Sequence, residues 1–283
     1  MIGTMSDTPR EARTFWRPVH GLLFFLALLA LAGCAGTHAP ASGTTSATTG
    51  EPYTESDEPE ARRRARIRTE LASAYLGEGK VEFALDEIKQ AQAADPNYSP
   101  AYTVRGVIHL QMQDRAGAMS NFQRAIQLNP RDADALHNLG FLHCDAGQFA
   151  QAQPLFERAL QVPGYARVGN TWLAQGVCQA RAGQLEPAER SLSRALEYDA
   201  GNPITIYNLA AVLLKRGEAQ RAQFHARRLN NSELANAESL WLGVRIERRL
   251  GNQEAVRQLG DQLRRRFPDS TELAAFNRGA FDD

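Results

Sequence analysis

Small and large apolar residues recur along the middle of this chain with a long, regular period. Ala84, Ala118, Ala152, Ala188, Ala222 and Ala255 return every 33 to 36 residues, and Gly106, Gly140, Gly176 and Ala210 precede four of them by twelve. Within each interval the apolar positions fall three and four apart, the spacing that gathers them on one face of an α-helix. Pro96 and Pro130 close two similar segments 34 residues apart. Each interval therefore predicts two antiparallel helices. Glycine or alanine sits where the pair crosses closely, and larger residues such as Ile88, Phe122, Phe156 and Leu192 fill the ridges between them. Gly79, Gly117, Gly147, Gly183, Gly217 and Gly251 are expected between the paired helices, where a left-handed turn residue is wanted.

Six approximate copies in one register resemble the tetratricopeptide repeat (TPR), a helix pair of about 34 residues. The copies span about 65–98, 99–132, 133–168, 169–202, 203–235 and 236–270 within a repeat region of 61–270, leaving 271–283 as a C-terminal tail. The fourth copy is displaced by Pro163-Gly164-Tyr165. The resemblance implies an all-α, right-handed superhelical solenoid with the first helix of each pair lining a concave groove. In that register Val107, Leu110, Phe141, Leu173, Val177, Tyr207, Leu214 and Leu240 point toward the groove. Such a mostly apolar lining suits an amphipathic helix or an extended peptide, although the same residues can instead seal one repeat against the next. TPR domains that hold acidic C-terminal peptides share a clamp of Lys, Arg and Asn. Asn138 and Asn208 occupy the Asn register here, but Asn170 and Ala174 stand where basic partners are needed. A receptor for charged tails is therefore disfavoured, and the two asparagines are expected to bond a ligand's backbone or their own turn.

The N-terminal stretch obeys a different pattern. Arg10, Arg13 and Arg17 precede an apolar run from Leu22 to Leu31, about ten residues and too short for a membrane span of roughly 20. The run ends in Leu31-Ala32-Gly33-Cys34, which resembles the lipobox of bacterial lipoproteins. It implies a signal peptide over 1–33 and a lipidated Cys34 as the first mature residue, an anchor held by several acyl chains. Ala35, in place of the Asp that favours inner-membrane retention in such lipoproteins, points to the periplasmic face of the outer membrane. Residues 34–60 are rich in Gly, Ser, Thr, Pro and Ala and read as a linker with a reach of about 25–30 Å.

Composition then removes several classes. The formal net charge is zero, and no basic stretch is interleaved with aromatics, so nucleic acid is not an expected partner. With Cys34 set aside, Cys144 and Cys178 remain, late on the first helices of repeats three and four. Those helices are neighbours running in nearly the same direction, so both a disulfide staple and two buried thiols are compatible with the pattern. Neither cysteine has the Cys-x-x-Cys spacing of a redox pair. His137 and His143 share a helix with Cys144 but lie about 600° of helix rotation apart, which opposes a metal site. No nucleophile elbow, phosphate loop or close carboxylate pair is present. The expectation is a binding protein with no catalytic residues, no cofactor, no metal and no small-molecule substrate.

One family matches more closely than the repeat itself. From about Glu60 to Glu272 the chain resembles the type IV pilus biogenesis and stability lipoproteins, the PilF/PilW family. The resemblance is carried by the stretches 136–144 (LHNLGFLHC), 176–178 (GVC), 239–247 (SLWLGVRIE) and 267–272 (FPDSTE). It implies six TPRs on a lipid anchor that support assembly or outer-membrane placement of the pilus secretin. In some members these two cysteines are paired, which favours the staple. The resemblance also favours the N-terminal half for binding, and thus Val107, Leu110 and Phe141. The long linker departs from the family and bears on reach. The competing expectation within the binding class is a TPR lipoprotein adaptor for another envelope machine, such as a peptidoglycan hydrolase or the outer-membrane assembly apparatus.

Overall fold

A computed structural model describes residues 58–281, which lie within one compact unit. The expectations for the signal peptide, Cys34 and most of the linker fall outside the described residues. Thirteen α-helices, and no strand, occur among the described residues. The first three pairs are α1 (Glu60–Gly77) with α2 (Val81–Ala94), α3 (Ser99–Gln111) with α4 (Arg115–Leu128), and α5 (Ala133–Asp145) with α6 (Phe149–Leu160). The next three are α7 (Val168–Arg181) with α8 (Leu185–Tyr198), α9 (Pro203–Lys215) with α10 (Ala219–Asn230), and α11 (Ala237–Arg249) with α12 (Gln253–Arg266). Helix α13 (Thr271–Arg278) follows alone, so residues that read as a tail from sequence include a helix.

The packing order gives the solenoid its curvature. Each first helix touches the next first helix, from α1 with α3 through α11 with α13, whereas consecutive second helices do not touch. First helices therefore line the inside of the curve and second helices splay on the outside. Close crossing of each pair depends on the small-residue series. A Cβ on Gly106 would run into the Phe122 ring, one on Gly176 would come within 2.7 Å of Leu192, and one on Gly140 within 3.0 Å of Phe156. Phe122, Phe156, Ile88 and Leu192 are fully buried at these crossings.

Local signals set the helix ends. Asp114, Asp132, Asn202, Asn252 and Ser270 each accept a backbone N–H three residues on, and Asn236 and Ser239 cap one another reciprocally. Gly79, Gly147, Gly183, Gly217 and Gly251 adopt positive φ in the intra-repeat turns. Gly117 does not: it lies inside α4, and Gln113 takes the left-handed turn conformation at φ 62°. In every intra-repeat turn the left-handed residue is the second after the helix end, and in repeat two that position is Gln113. An arginine on a second helix ties repeats together at three places, one of them Arg266 Nη2 donating to the Ala235 carbonyl at 3.0 Å. Arg158 Nη2 donates to the Pro130 carbonyl at 3.1 Å and Arg228 Nη2 to the Ala200 carbonyl at 2.6 Å, each reaching back to the turn that closes the preceding repeat.

Helix α13 covers the last pair. Its own Leu273 is buried against the pair, Phe276 packs over Gly260, and the Trp241 and Phe281 rings stack with centroids 5.5 Å apart. This lid also corrects one expectation. Leu240 does not face an open groove; it is fully buried with Val244 in the cluster that α13 seals.

Candidate partner-binding groove

The concave face is built from one register of each first helix. Val107 and Leu110 on α3 are half-buried against the cluster around Phe122 and Leu139. Leu173 and Val177 on α7, with Tyr207 and Leu214 on α9, are half-buried against the cluster around Leu209 and Leu213. These six residues therefore seal neighbouring repeats while presenting part of their surface. Phe141 is the open one, 49% exposed in the middle of the row. Ile204, at the start of α9, is 59% exposed and was not singled out from sequence. Asn138 Nδ2 donates to the Asp134 carbonyl at 2.9 Å and Asn208 Nδ2 to the Ile204 carbonyl at 2.8 Å. Both asparagines thus bond the turn of helix beneath them, one of the two outcomes expected.

A polar cluster interrupts the apolar floor where the lengthened connection enters repeat four. His137 Nδ1 lies 2.8 Å from Thr171 Oγ1, which also meets the Tyr165 hydroxyl at 3.0 Å. Arg167 pairs with Asp134 at 3.3 Å. Burial, reinforced by the Arg167 charge, pushes the His137 pKa down to about 4, so the ring is neutral near pH 7. Burial raises the Asp134 carboxyl, with Arg167 opposing it, and burial also raises the Tyr165 phenol. Together these side chains fasten the Pro163-Gly164-Tyr165 connection to α5 and α7.

Other titratable pairs serve the turns. His109 Nδ1 sits 2.8 Å from Asp114 Oδ2, while Asp114 Oδ1 accepts the Gly117 N–H at 2.9 Å as the α4 cap. That backbone bond first, and the histidine second, hold the Asp114 carboxyl below its ordinary range. His143 makes the matching contact to Gln148 at 2.6 Å. Cys144 and Cys178 are joined by a disulfide between α5 and α7, with Cα atoms 5.7 Å apart and both side chains buried beside Phe156. Among the described residues no three His, Cys, Asp or Glu side chains converge as a metal site would require.

One apolar surface was hidden from the sequence. Three positions of the repeat register on a first helix face the preceding repeat. In repeat three these are Ala135, Leu139 and Leu142, and in repeat five Thr205, Leu209 and Val212, all buried. In repeat one they are Ile67, Leu71 and Ala74, and no repeat precedes them among the described residues. Ile67 is 47% exposed, Leu71 36%, and Ala74 is exposed as well. Arg63 lies one turn before Ile67 on the same exposed stripe. Leu71 holds the repeat position of the buried Leu139 and Leu209, which periodicity alone does not distinguish from it.

Tetratricopeptide-repeat family models match residues 99–132 and 131–200. The chain is 23% identical over 207 residues to the type IV pilus assembly protein PilF of Pseudomonas aeruginosa, covering 73% of this chain and 82% of that protein. It superposes on the crystal structure of PilW, described as a widely conserved type IV pilus biogenesis factor, with a TM-score of 0.69 and 29% identity, covering 75% of this chain and 97% of PilW. The Pseudomonas aeruginosa PilF structure aligns with a TM-score of 0.71 at 21% identity over 78% of this chain, a likeness of fold.

Proposed function

We propose that this chain, a tetratricopeptide-repeat protein related to PilF and PilW, supports type IV pilus biogenesis by binding a protein segment and carrying it to the outer membrane. Lipid on Cys34 is the anchor in this scheme, residues 34–60 set the reach, and the repeats do the holding. The bound segment is an amphipathic helix of the pilus secretin subunit, and the protein aids assembly or placement of that multimer by binding, not by catalysis.

The observation that supports this most directly is the uncovered stacking face of repeat one. Inside the molecule the equivalent face is always packed by a neighbouring helix pair, so its shape and apolar register suit a helix. Ile67, Leu71 and Ala74 supply the apolar stripe and Arg63 adds a positive charge at one end. Phe141, with the exposed edges of Val107 and Leu110, extends the apolar surface along the concave side.

Binding of the purified secretin subunit to wild-type and altered protein tests the scheme. Ile67→Asp with Leu71→Asp should keep the helical fold and lower the thermal midpoint only modestly, because neither side chain belongs to the buried core, yet weaken binding by tenfold or more. Retention of wild-type affinity by that double variant would overturn the assigned face. For the anchor, Cys34→Ala should release the protein from membranes and reduce the number of assembled secretin pores. Normal pore assembly by the released protein would overturn the tethering step.

A further inference from the structure

On the outer side, between α6 and α8, lies a cleft of about 630 Å³ floored by α7. Second helices splay apart along the whole solenoid, so an opening there is expected; its lining is not. Trp172, Gln175 and Gln179 follow one another along the outward face of α7. Where α7 carries Gln175, repeats three and five carry the buried leucines Leu139 and Leu209. Gln175 is only 3% exposed, and its Oε1 is buried with no hydrogen-bond partner. Its amide nitrogen makes no hydrogen bond to any described residue either. A buried acceptor left unpaired opposes folding, and such groups ordinarily find a partner.

The neighbouring polar groups do not supply that partner. Gln179 Nε2 donates to Gln153 Oε1 at 3.2 Å, and Ser191 Oγ donates to Gln179 Oε1 at 2.8 Å. These bonds hold the lower floor in one arrangement and leave Gln175 unpaired above it. A primary amide with both its oxygen and its nitrogen uncommitted is complementary to one chemical group above others, a second amide, which offers N–H and C=O side by side. Beside it Trp172 and Pro187 give the cleft apolar walls, and Arg190 on the rim has no ion-pair partner among the described residues.

We infer that this cleft is a second binding site, on the face opposite the groove, for an extended peptide segment. One peptide group of the segment pairs with the Gln175 amide, an apolar side chain lies against Trp172 and Pro187, and an acidic residue reaches Arg190. The protein then holds two polypeptides at once, one at repeat one and the other on the outer side of repeat four, with no competition between them.

A display library of random dodecapeptides, panned on full-length protein carrying Phe141→Ala, Ile67→Asp and Leu71→Asp, selects for this site with the concave face and the repeat-one face both weakened. Recovered peptides are then titrated against wild type and Gln175→Leu by fluorescence anisotropy and by shifts of the Trp172 indole N–H resonance. Leucine is what repeats three and five carry there, so Gln175→Leu should fold with an unchanged or higher thermal midpoint. Peptide affinity should nonetheless fall about tenfold or more, and the Trp172 indole signal should move only with wild type. The inference is overturned if no peptide is enriched, if recovered peptides bind Gln175→Leu as tightly, or if they leave the Trp172 indole untouched. A chitin oligosaccharide that moves the indole where no peptide does would also overturn it, in favour of a sugar. None of these outcomes depends on secretin binding at repeat one.

Discussion

Lowering the pH should weaken the fold through His137, and substituting that one side chain should remove the effect. The ring is partly buried between α5 and α7 against Thr171 and near Arg167, and its pKa falls from 6.5 to about 4. Below pH 6.5 the unfolded chain takes up a proton at this site, while the folded chain does not until about pH 4. The unfolded state therefore binds more protons across that window, and stability drops as pH is lowered through it. Between pH 7 and pH 5 the loss from this single group is about 2 kcal/mol, since one pKa unit corresponds to about 1.4 kcal/mol. The midpoint of thermal unfolding should then fall by roughly 4–8 °C. Asp134 works in the opposite sense: its raised carboxyl favours the folded state at low pH, and that contribution disappears as pH rises through its folded value. Asp134 is present in both proteins of the comparison below. His225, whose pKa is also lowered by burial, adds a loss of the same sign that both proteins share. Urea unfolding followed by circular dichroism at pH 7, 6 and 5 would compare wild type with His137→Gln, whose amide can still bond Thr171. Wild type should lose about 2 kcal/mol more than the variant over that range. Parallel pH profiles for the two proteins would show that the ring titrates normally and that the cluster is open to water.

Three further outcomes follow from the packing. Gly106→Ala places a methyl against the Phe122 ring, so it should cost about 1–3 kcal/mol in chemical denaturation, whereas Gly77→Ala, which meets nothing nearby, should be close to neutral. Reducing the Cys144–Cys178 bond opens a loop of 34 residues and should lower stability by up to about 4 kcal/mol in the chain-entropy picture, read as a drop in thermal midpoint with reductant and as a mobility change on non-reducing electrophoresis with thiol trapping. Glu247 is buried and accepts from Gln223 at 2.8 Å, Arg227 at 2.8 Å and Asn252 at 2.9 Å, so Glu247→Ala should cost about 2 kcal/mol or more and loosen the last repeat in hydrogen exchange.

The repeat architecture was legible because it rests on short-range rules. A small residue every 33 to 36 positions and apolar residues three and four apart specify paired helices wherever they occur, and six copies reinforce one register. Most caps were equally local, with Asp114, Asp132, Asn202 and Asn252 each standing three residues before the N–H they accept. Gly117 shows where that logic misleads, since glycine marks a turn only when the helix ends beside it.

What periodicity leaves open is which copy of a shared position meets water. Leu71, Leu139 and Leu209 hold the same place in their repeats, yet only the latter two are covered, because the first repeat has no predecessor among the described residues. Leu240 was read as groove-facing by the same register and lies in the core, because α13 folds over the last pair. Gln175 looks like an ordinary polar helix residue until α6 and α8 enclose it and leave its amide without a partner. In each case the sequence alone determines the helix and its face, by backbone periodicity. Exposure is decided by the elements that stack against that face, which are contacts between residues far apart in the chain.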